Sequence, residues 1–141
     1  IFQISDKKRT TMKEKRISPR WINSLEKNEV FVFGSNLQGM HGGGAAHVAH
    51  ERFGAIWGQG TGLQGQSYAI PTMHGGVDVI APYVNDFIAF AKEHPELKFL
   101  VTEIGCGIAG FKASEMAPLF KEALEIENIY LPERFVEELE K

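Results

Sequence analysis

The sequence lacks what a secreted or membrane protein of this size usually contains. Its 141 residues include one cysteine, Cys106, so no internal disulfide can form, and a free thiol is typical of a reducing compartment. No apolar run is as long as a membrane span, and the first residues, IFQISDKKRTT, lack the apolar centre of a secretory signal. These absences predict a cytoplasmic protein without a membrane partner.

The usual spacing of metal ligands is also missing. The histidines include His47, His50 and His74, but no cysteine or acidic residue completes a ligand set around them. The sequence therefore predicts neither a metal site nor a cofactor.

Charge is distributed unevenly along the chain. The formal net charge is −3, yet residues 1–21 hold seven Lys or Arg and two acidic residues, whereas the remainder holds eight and sixteen. We interpret residues 1–17 as a mobile basic arm and residues 18–141 as one domain, because a chain of this length supplies one core. A nucleic-acid or protein partner for the arm is an alternative, although no aromatic or glycine residues interleave with its charges. The oligomeric state stays open.

Strands and helices are predicted to alternate along the chain. Apolar and β-branched runs predict four strands, at residues 29–33, 67–71, 98–104 and 128–132. Helical spacing and capping residues predict helices that begin near Ser18, Ala45, Pro82, Ser114 and Pro132, the first with Trp21, Ile22 and Leu25 facing inward. The glycine-rich residues 54–65 are predicted to be a loop. This alternation predicts an α/β fold with a mostly parallel sheet and helices on both faces.

Two of the predicted strand-to-helix junctions are dense in glycine, at residues 34–44 and 105–110. Glycine lets backbone N–H groups approach a phosphate closely, and the following helix presents its positive end. Since ligands bind beyond the carboxyl ends of parallel strands, the two junctions predict one site for a diphosphate. Glycines that only permit a tight turn are the alternative at either junction. The stretch GCGIAG also fits the dinucleotide pattern G-x-G-x-x-G, so a nicotinamide- or flavin-binding domain is a second hypothesis.

The sequence stretches VFVFGSNLQGMHGGGAAHVA, SYAIPT and FLVTEIGCGIAGF resemble the macro domain family, in particular a compact bacterial and phage branch. The resemblance covers about Val30 to Pro132 and implies a three-layer αβα fold that holds ADP-ribose between two glycine loops. The Gly-Asp-Ile stretch that reads adenine in many macro domains is missing, since residues 18–29 are SPRWINSLEKNE. The ligand implied is ADP-ribose or a related nucleotide or phosphoribosyl compound, and hydrolysis of an ADP-ribose derivative or of its phosphate is an expectation of the same kind.

The predicted ligand-binding residues come from both glycine loops. The first loop contributes Gly34, Ser35, Asn36, Gly42, Gly43, Gly44 and Ala45, and the second contributes Gly105, Cys106, Gly107, Ile108, Ala109, Gly110 and Phe111. The amide of Asn36 suits ribose hydroxyls, although an Asx turn that closes the loop is the alternative.

Two residues are predicted to be catalytic. His41 lies within the first loop, where an imidazole can move a proton, unless it only faces solvent. Glu103 lies two residues before Gly105 on an otherwise apolar predicted strand, and it can orient a water or a ribose hydroxyl, or pair with Lys98 or Arg52. Cys106 is interpreted as a small residue that lines the site rather than as a nucleophile.

Overall fold

The computed structural model describes residues 16–141 of the protein. Its strands are β1 (Ile17–Ser18), β2 (Glu29–Ser35), β3 (Gly62–Gln64), β4 (Ser67–Pro71), β5 (Lys98–Val101) and β6 (Ile129–Pro132). Its helices are α1 (Gly44–Arg52), α2 (Val77–Glu93), α3 (Ala113–Met116) and α4 (Glu133–Leu139), and a 3-10 helix, Ala117–Glu125, continues α3.

The strands form one six-stranded sheet in the order β1-β6-β5-β2-β4-β3. All neighbouring pairs are parallel except β3 and β4. This confirms the predicted α/β class with a mostly parallel sheet. Strand β2 lies between β4 and β5 in the sheet, and its residues 30–33 are buried on both faces, which explains its apolar character.

Alternate residues of β2 pack into two hydrophobic cores. Val30 and Val32 face the larger core, which α2, the 3-10 helix and α4 cover. Phe31 and Phe33 face the smaller core, which α1 covers. Each fully buried side chain of this kind contributes about 1.5–3 kcal/mol. Burial on both sides therefore fixes β2 and β5 as rigid neighbours, and the two glycine loops begin at their carboxyl ends.

The helix predicted to open at Ser18 and Pro19 is wrong. Ser18 ends strand β1, and its hydroxyl donates to the Val101 carbonyl at 2.6 Å. The segment that follows contains no helix up to β2, and Trp21 is 77% exposed instead of buried. Pairing of β1 with β6 overrides the local capping preference, because capping contributes only about 1 kcal/mol.

Three further differences concern element boundaries. Strand β5 ends at Val101 rather than at Ile104, so Glu103 lies in the loop that follows the strand. Helix α2 begins at Val77 rather than Pro82, since Ile80 already belongs to the buried stripe of that helix. Strand β3 lies inside the stretch predicted to be a loop and pairs with β4. The side chain of Gln64 is buried there and accepts a hydrogen bond from the Ile56 N–H at 2.7 Å.

Most of the predicted mobile arm, residues 1–17, lies outside the described residues. Its last two residues belong to the domain: the Arg16 guanidinium donates to the carbonyls of Leu124 and Ile126, and Ile17 pairs with Leu131 in the sheet. None of the helices in residues 16–141 has the length and apolar character needed to cross a bilayer.

Candidate functional site

The two glycine loops line one cavity of about 480 Å³ at the carboxyl ends of β2 and β5. The chain leaves β2 toward β4 on one side of it, whereas β5 lies on the other side, so the cavity sits where the strand order reverses. The predicted site residues that line it are Gly34, Ser35, Asn36, Gly43, Gly44, Ala45, Glu103, Gly105, Cys106, Gly107, Ile108 and Ala109. Gly42, Gly110, Phe111 and His41 are not among its lining residues.

The loops approach each other at two points. A Cβ added at Gly34 would lie 3.6 Å from the Gly105 nitrogen and 3.2 Å from the Thr72 hydroxyl oxygen. Farther out, a Cβ added at Gly43 would lie 3.2 Å from the Ile108 Cδ1 atom. The cavity is therefore narrow at its base and nearly bridged at its rim, and glycine keeps the space between the loops open.

The first loop ends in the positive end of helix α1. Its N-cap, Gly43, has extended backbone and no side chain to cap the helix, and the first turn contains no acidic residue. The first helical hydrogen bond reaches His47, so the N–H groups of Gly44, Ala45 and Ala46 precede the regular ladder. These donors, together with the helix dipole, favour an anion at the cavity.

The second loop supplies further backbone donors. Gly105 has a φ of +81°, which favours glycine, and a Cβ there would lie 2.8 Å from the Met116 sulfur. Hydrogen bonds from Gly110 and Phe111 close the loop onto its own carbonyls. Across residues 16–141, the N–H groups of Gly107, Ile108 and Ala109 donate to no protein acceptor. All three residues line the cavity, so their amides are available to a ligand.

The amide of Asn36 is used within the first loop. Its Oδ1 accepts from the Met40 N–H at 2.9 Å, and its Nδ2 donates to the Met40 carbonyl at 3.1 Å. The Leu37 N–H donates to Nε2 of His74 at 2.8 Å, which fixes the same turn from the other side. This geometry favours the loop-closing interpretation of Asn36 over contact with ribose hydroxyls.

His41 is fully buried behind the first loop. Its Nε2 lies 2.9 Å from the Ile56 carbonyl oxygen, and its ring packs edge-on against Phe33 at 5.3 Å between centroids. A carbonyl oxygen only accepts, so Nε2 carries the proton in this arrangement. His41 therefore supports the loop from inside the domain and does not face the cavity.

Glu103 lies on the cavity rim and is paired with a residue that the sequence did not indicate. Nη1 of Arg134 lies 3.2 Å from Oε1 of Glu103, and both side chains are partly exposed. Lys98, one of the predicted partners, instead pairs with Glu29 at 3.4 Å. Arg134 follows β6. It lies close to Glu103 because β5 and β6 are neighbours in the sheet, and not because the two residues are close in the sequence.

Cys106 has a raised pKa, and this predicts slow alkylation at neutral pH. Burial raises the pKa of its thiol most, the Glu103 carboxylate raises it further, and Arg134 lowers it. Because the thiolate is the reacting form, a Glu103→Gln variant will react faster with iodoacetamide at pH 8 than the unsubstituted protein. An Arg134→Gln variant is the control and will react more slowly. Equal rates in all three proteins would contradict the assigned causes.

Several cavity residues were missed in the sequence analysis, among them Trp21, Thr72 and Thr102. Trp21 and Thr102 also line a second cavity of about 730 Å³ over α1 and a third of about 440 Å³ at the ends of β1 and β6. In the sequence, this tryptophan stands alone among mostly polar residues, SPRWINS. That pattern fits an exposed side chain better than a buried helix face.

Within residues 16–141, no group of three His, Cys, Asp or Glu side chains is placed to hold a metal ion. Comparisons of the chain with protein-family models, with curated proteins and with solved structures found no match.

Proposed function

We propose that this protein binds ADP-ribose or a related nucleotide through its diphosphate, which lies between the loops at residues 34–44 and 105–110. The observation that carries the proposal is that both loops line one cavity, with backbone N–H groups available from each. A diphosphate has two anionic groups, and two separate sets of backbone donors match them.

The size and charge of the cavity support this ligand class. Its volume of about 480 Å³ is in the range of small-molecule sites, and much of its lining is glycine backbone. The uncapped positive end of α1 faces it, and Glu103, on the rim, is neutralised in part by Arg134. An anion therefore meets more favourable than unfavourable charge there.

A three-layer fold similar to a macro domain is part of the same proposal. Hydrophobic cores on both faces of the sheet support a three-layer αβα arrangement similar to a macro domain. The dinucleotide-domain alternative is less well supported, because the helix after GCGIAG begins only at Ala113, with Lys112 as its N-cap, so the glycines lie before the helix. In a Rossmann phosphate site the glycine-rich turn itself opens the helix whose N-terminus binds the pyrophosphate.

A hydrolytic activity would depend on Glu103, since it is the carboxylate among the cavity-lining residues and His41 is buried. Binding does not require it. We therefore propose binding as the function, and release of ribose or phosphate from an ADP-ribose derivative as an activity to be assayed with a Glu103→Gln variant.

Calorimetric titration with ADP-ribose tests the proposal. We expect saturable heat and a rise in melting temperature, because a ligand that binds only the native state stabilises it. At 100 times the Kd the stabilisation is about 2.7 kcal/mol, or about 5–10 °C for a domain of this size. Ribose 5-phosphate, which carries one phosphate, serves as the control and should bind more weakly. Absence of heat and of a thermal shift with millimolar ADP-ribose, ADP and pyrophosphate would overturn the proposal.

A further inference from the structure

Trp21 is a large aromatic side chain that the domain leaves uncovered beside the proposed diphosphate site. It is 77% exposed and lies at the junction of the diphosphate cavity and the second cavity. Arg20 lies over its ring, with 5.7 Å from the guanidinium carbon to the ring centroid. Met40, Met73 and Ile108 are also exposed and line the same cavity, and an exposed apolar patch of this kind is typical of a ligand-binding groove.

The second cavity continues directly from the first. Gly44 and Ala45, at the start of α1, line both cavities. With a volume of about 730 Å³, the second cavity has room for a nucleobase attached to a diphosphate held between the loops. Trp21 therefore lies between the proposed diphosphate site and the cavity that would hold the group attached to the diphosphate.

We infer that the nucleobase of the ligand stacks on Trp21 and that stacking, rather than reading of the base edge, dominates its recognition. The site would then accept nucleoside diphosphates with different bases, ranked by stacking area, so that purines bind better than pyrimidines. This inference rests on the proposed function, because it assumes that the diphosphate is bound between the loops.

The polar groups of the second cavity support a tolerant site. Asn23, Glu51 and Arg52 line it, all three are exposed, and none of them is held by a hydrogen bond or ion pair within residues 16–141. The side-chain amide of Asn23 can both donate and accept, so it can pair with several base edges. Stacking is tolerant as well, since every base has a π face.

Tryptophan fluorescence gives a direct readout of this contact. The chain contains two tryptophans, so a Trp57→Phe variant leaves Trp21 as the single indole. Phe keeps an aromatic ring beside His41, which Trp57 contacts in the structure. We expect ADP, GDP, CDP and UDP to quench the fluorescence of this variant on binding, and pyrophosphate to bind without quenching.

Substitution of Trp21 itself completes the experiment. Trp21→Ala will weaken ADP binding at least about fivefold and leave pyrophosphate binding unchanged, whereas Trp21→Phe will retain most of the ADP affinity. Because Trp21 is exposed, the melting temperature of both variants should equal that of the unsubstituted protein.

The remaining outcomes separate this inference from the proposed function. Failure of pyrophosphate and of all four nucleotides to bind would overturn both. Binding of pyrophosphate and ADP with no quenching and no effect of Trp21→Ala would overturn the stacking inference alone. A preference of more than about 100-fold for one purine over the other bases would also overturn it, since edge recognition would then dominate.

Discussion

A Gly39→Ala variant will unfold at a temperature about 10 °C below that of the unsubstituted protein. Gly39 has a φ of +69°, and a Cβ there would lie 2.3 Å from the Gln59 nitrogen and 2.4 Å from the Gly58 carbonyl carbon. The left-handed backbone costs about 1 kcal/mol with a side chain, and displacement of rigid backbone adds about 2 kcal/mol. The sum of about 3 kcal/mol corresponds to about 6–12 °C for a domain of this length.

A Gly58→Ala variant is the matched control. Gly58 also has a positive φ, +97°, but an added Cβ would meet no atom within 4 Å. Its melting temperature should therefore fall by only about 2–4 °C, from the backbone term alone. Equal losses of melting temperature in the two variants would show that the contact between the first glycine loop and residues 56–60 contributes nothing to stability.

The same contact couples the candidate site to the segment at residues 56–60. The Ser35 hydroxyl donates to the Gly60 carbonyl at 2.5 Å, and a Cβ at Gly60 would lie 2.3 Å from the Asn36 carbonyl oxygen. His41 bonds to the carbonyl of Ile56 in the same segment. The first glycine loop is therefore held from behind by residues that do not line the cavity, and loosening them should weaken ligand binding as well as folding.

The strands that position the site were predictable because their burial leaves a local pattern. Residues 30–33 and 99–101 are continuous apolar runs, which is what strands covered on both faces require. Glycine at the ends of these strands indicated where a ligand would bind. Both junctions line one cavity because β2 and β5 are neighbours in the sheet. The α/β topology favours this arrangement, but the sequence alone does not establish it.

The features that were missed depend on contacts between residues distant in the chain. Ser18 is a strand residue because β1 pairs with β6, and its hydroxyl also donates to the Val101 carbonyl 83 positions away; both contacts compete with local helix capping. Glu103 pairs with Arg134 because β5 and β6 are adjacent. His41 was expected in the glycine loop, and its burial depends on Phe33 and Ile56 closing around it. Local sequence patterns do not indicate which distant residues will be in contact.

Two valine substitutions at neighbouring glycines will distinguish an effect on the proposed diphosphate site from an effect on folding. Gly43 lines the cavity, has extended backbone that a β-branched residue adopts, and faces the Ile108 Cδ1 atom at 3.2 Å from an added Cβ. In Gly43→Val the methyl groups will fill the space between the loops. We expect ADP-ribose affinity to fall at least about 100-fold, or about 2.7 kcal/mol, as measured by calorimetry.

The melting temperature of Gly43→Val should change by less than about 3 °C, because Ile108 is 75% exposed and the end of its side chain can move aside. Gly42→Val is the control: an added Cβ at Gly42 meets no atom within 4 Å, and Gly42 is not among the residues that line the cavity. Its affinity for ADP-ribose should stay within about threefold of the unsubstituted value. If both variants bind equally well, the diphosphate does not lie between the loops. If both fail to bind, the whole loop rather than the gap beside Ile108 determines binding.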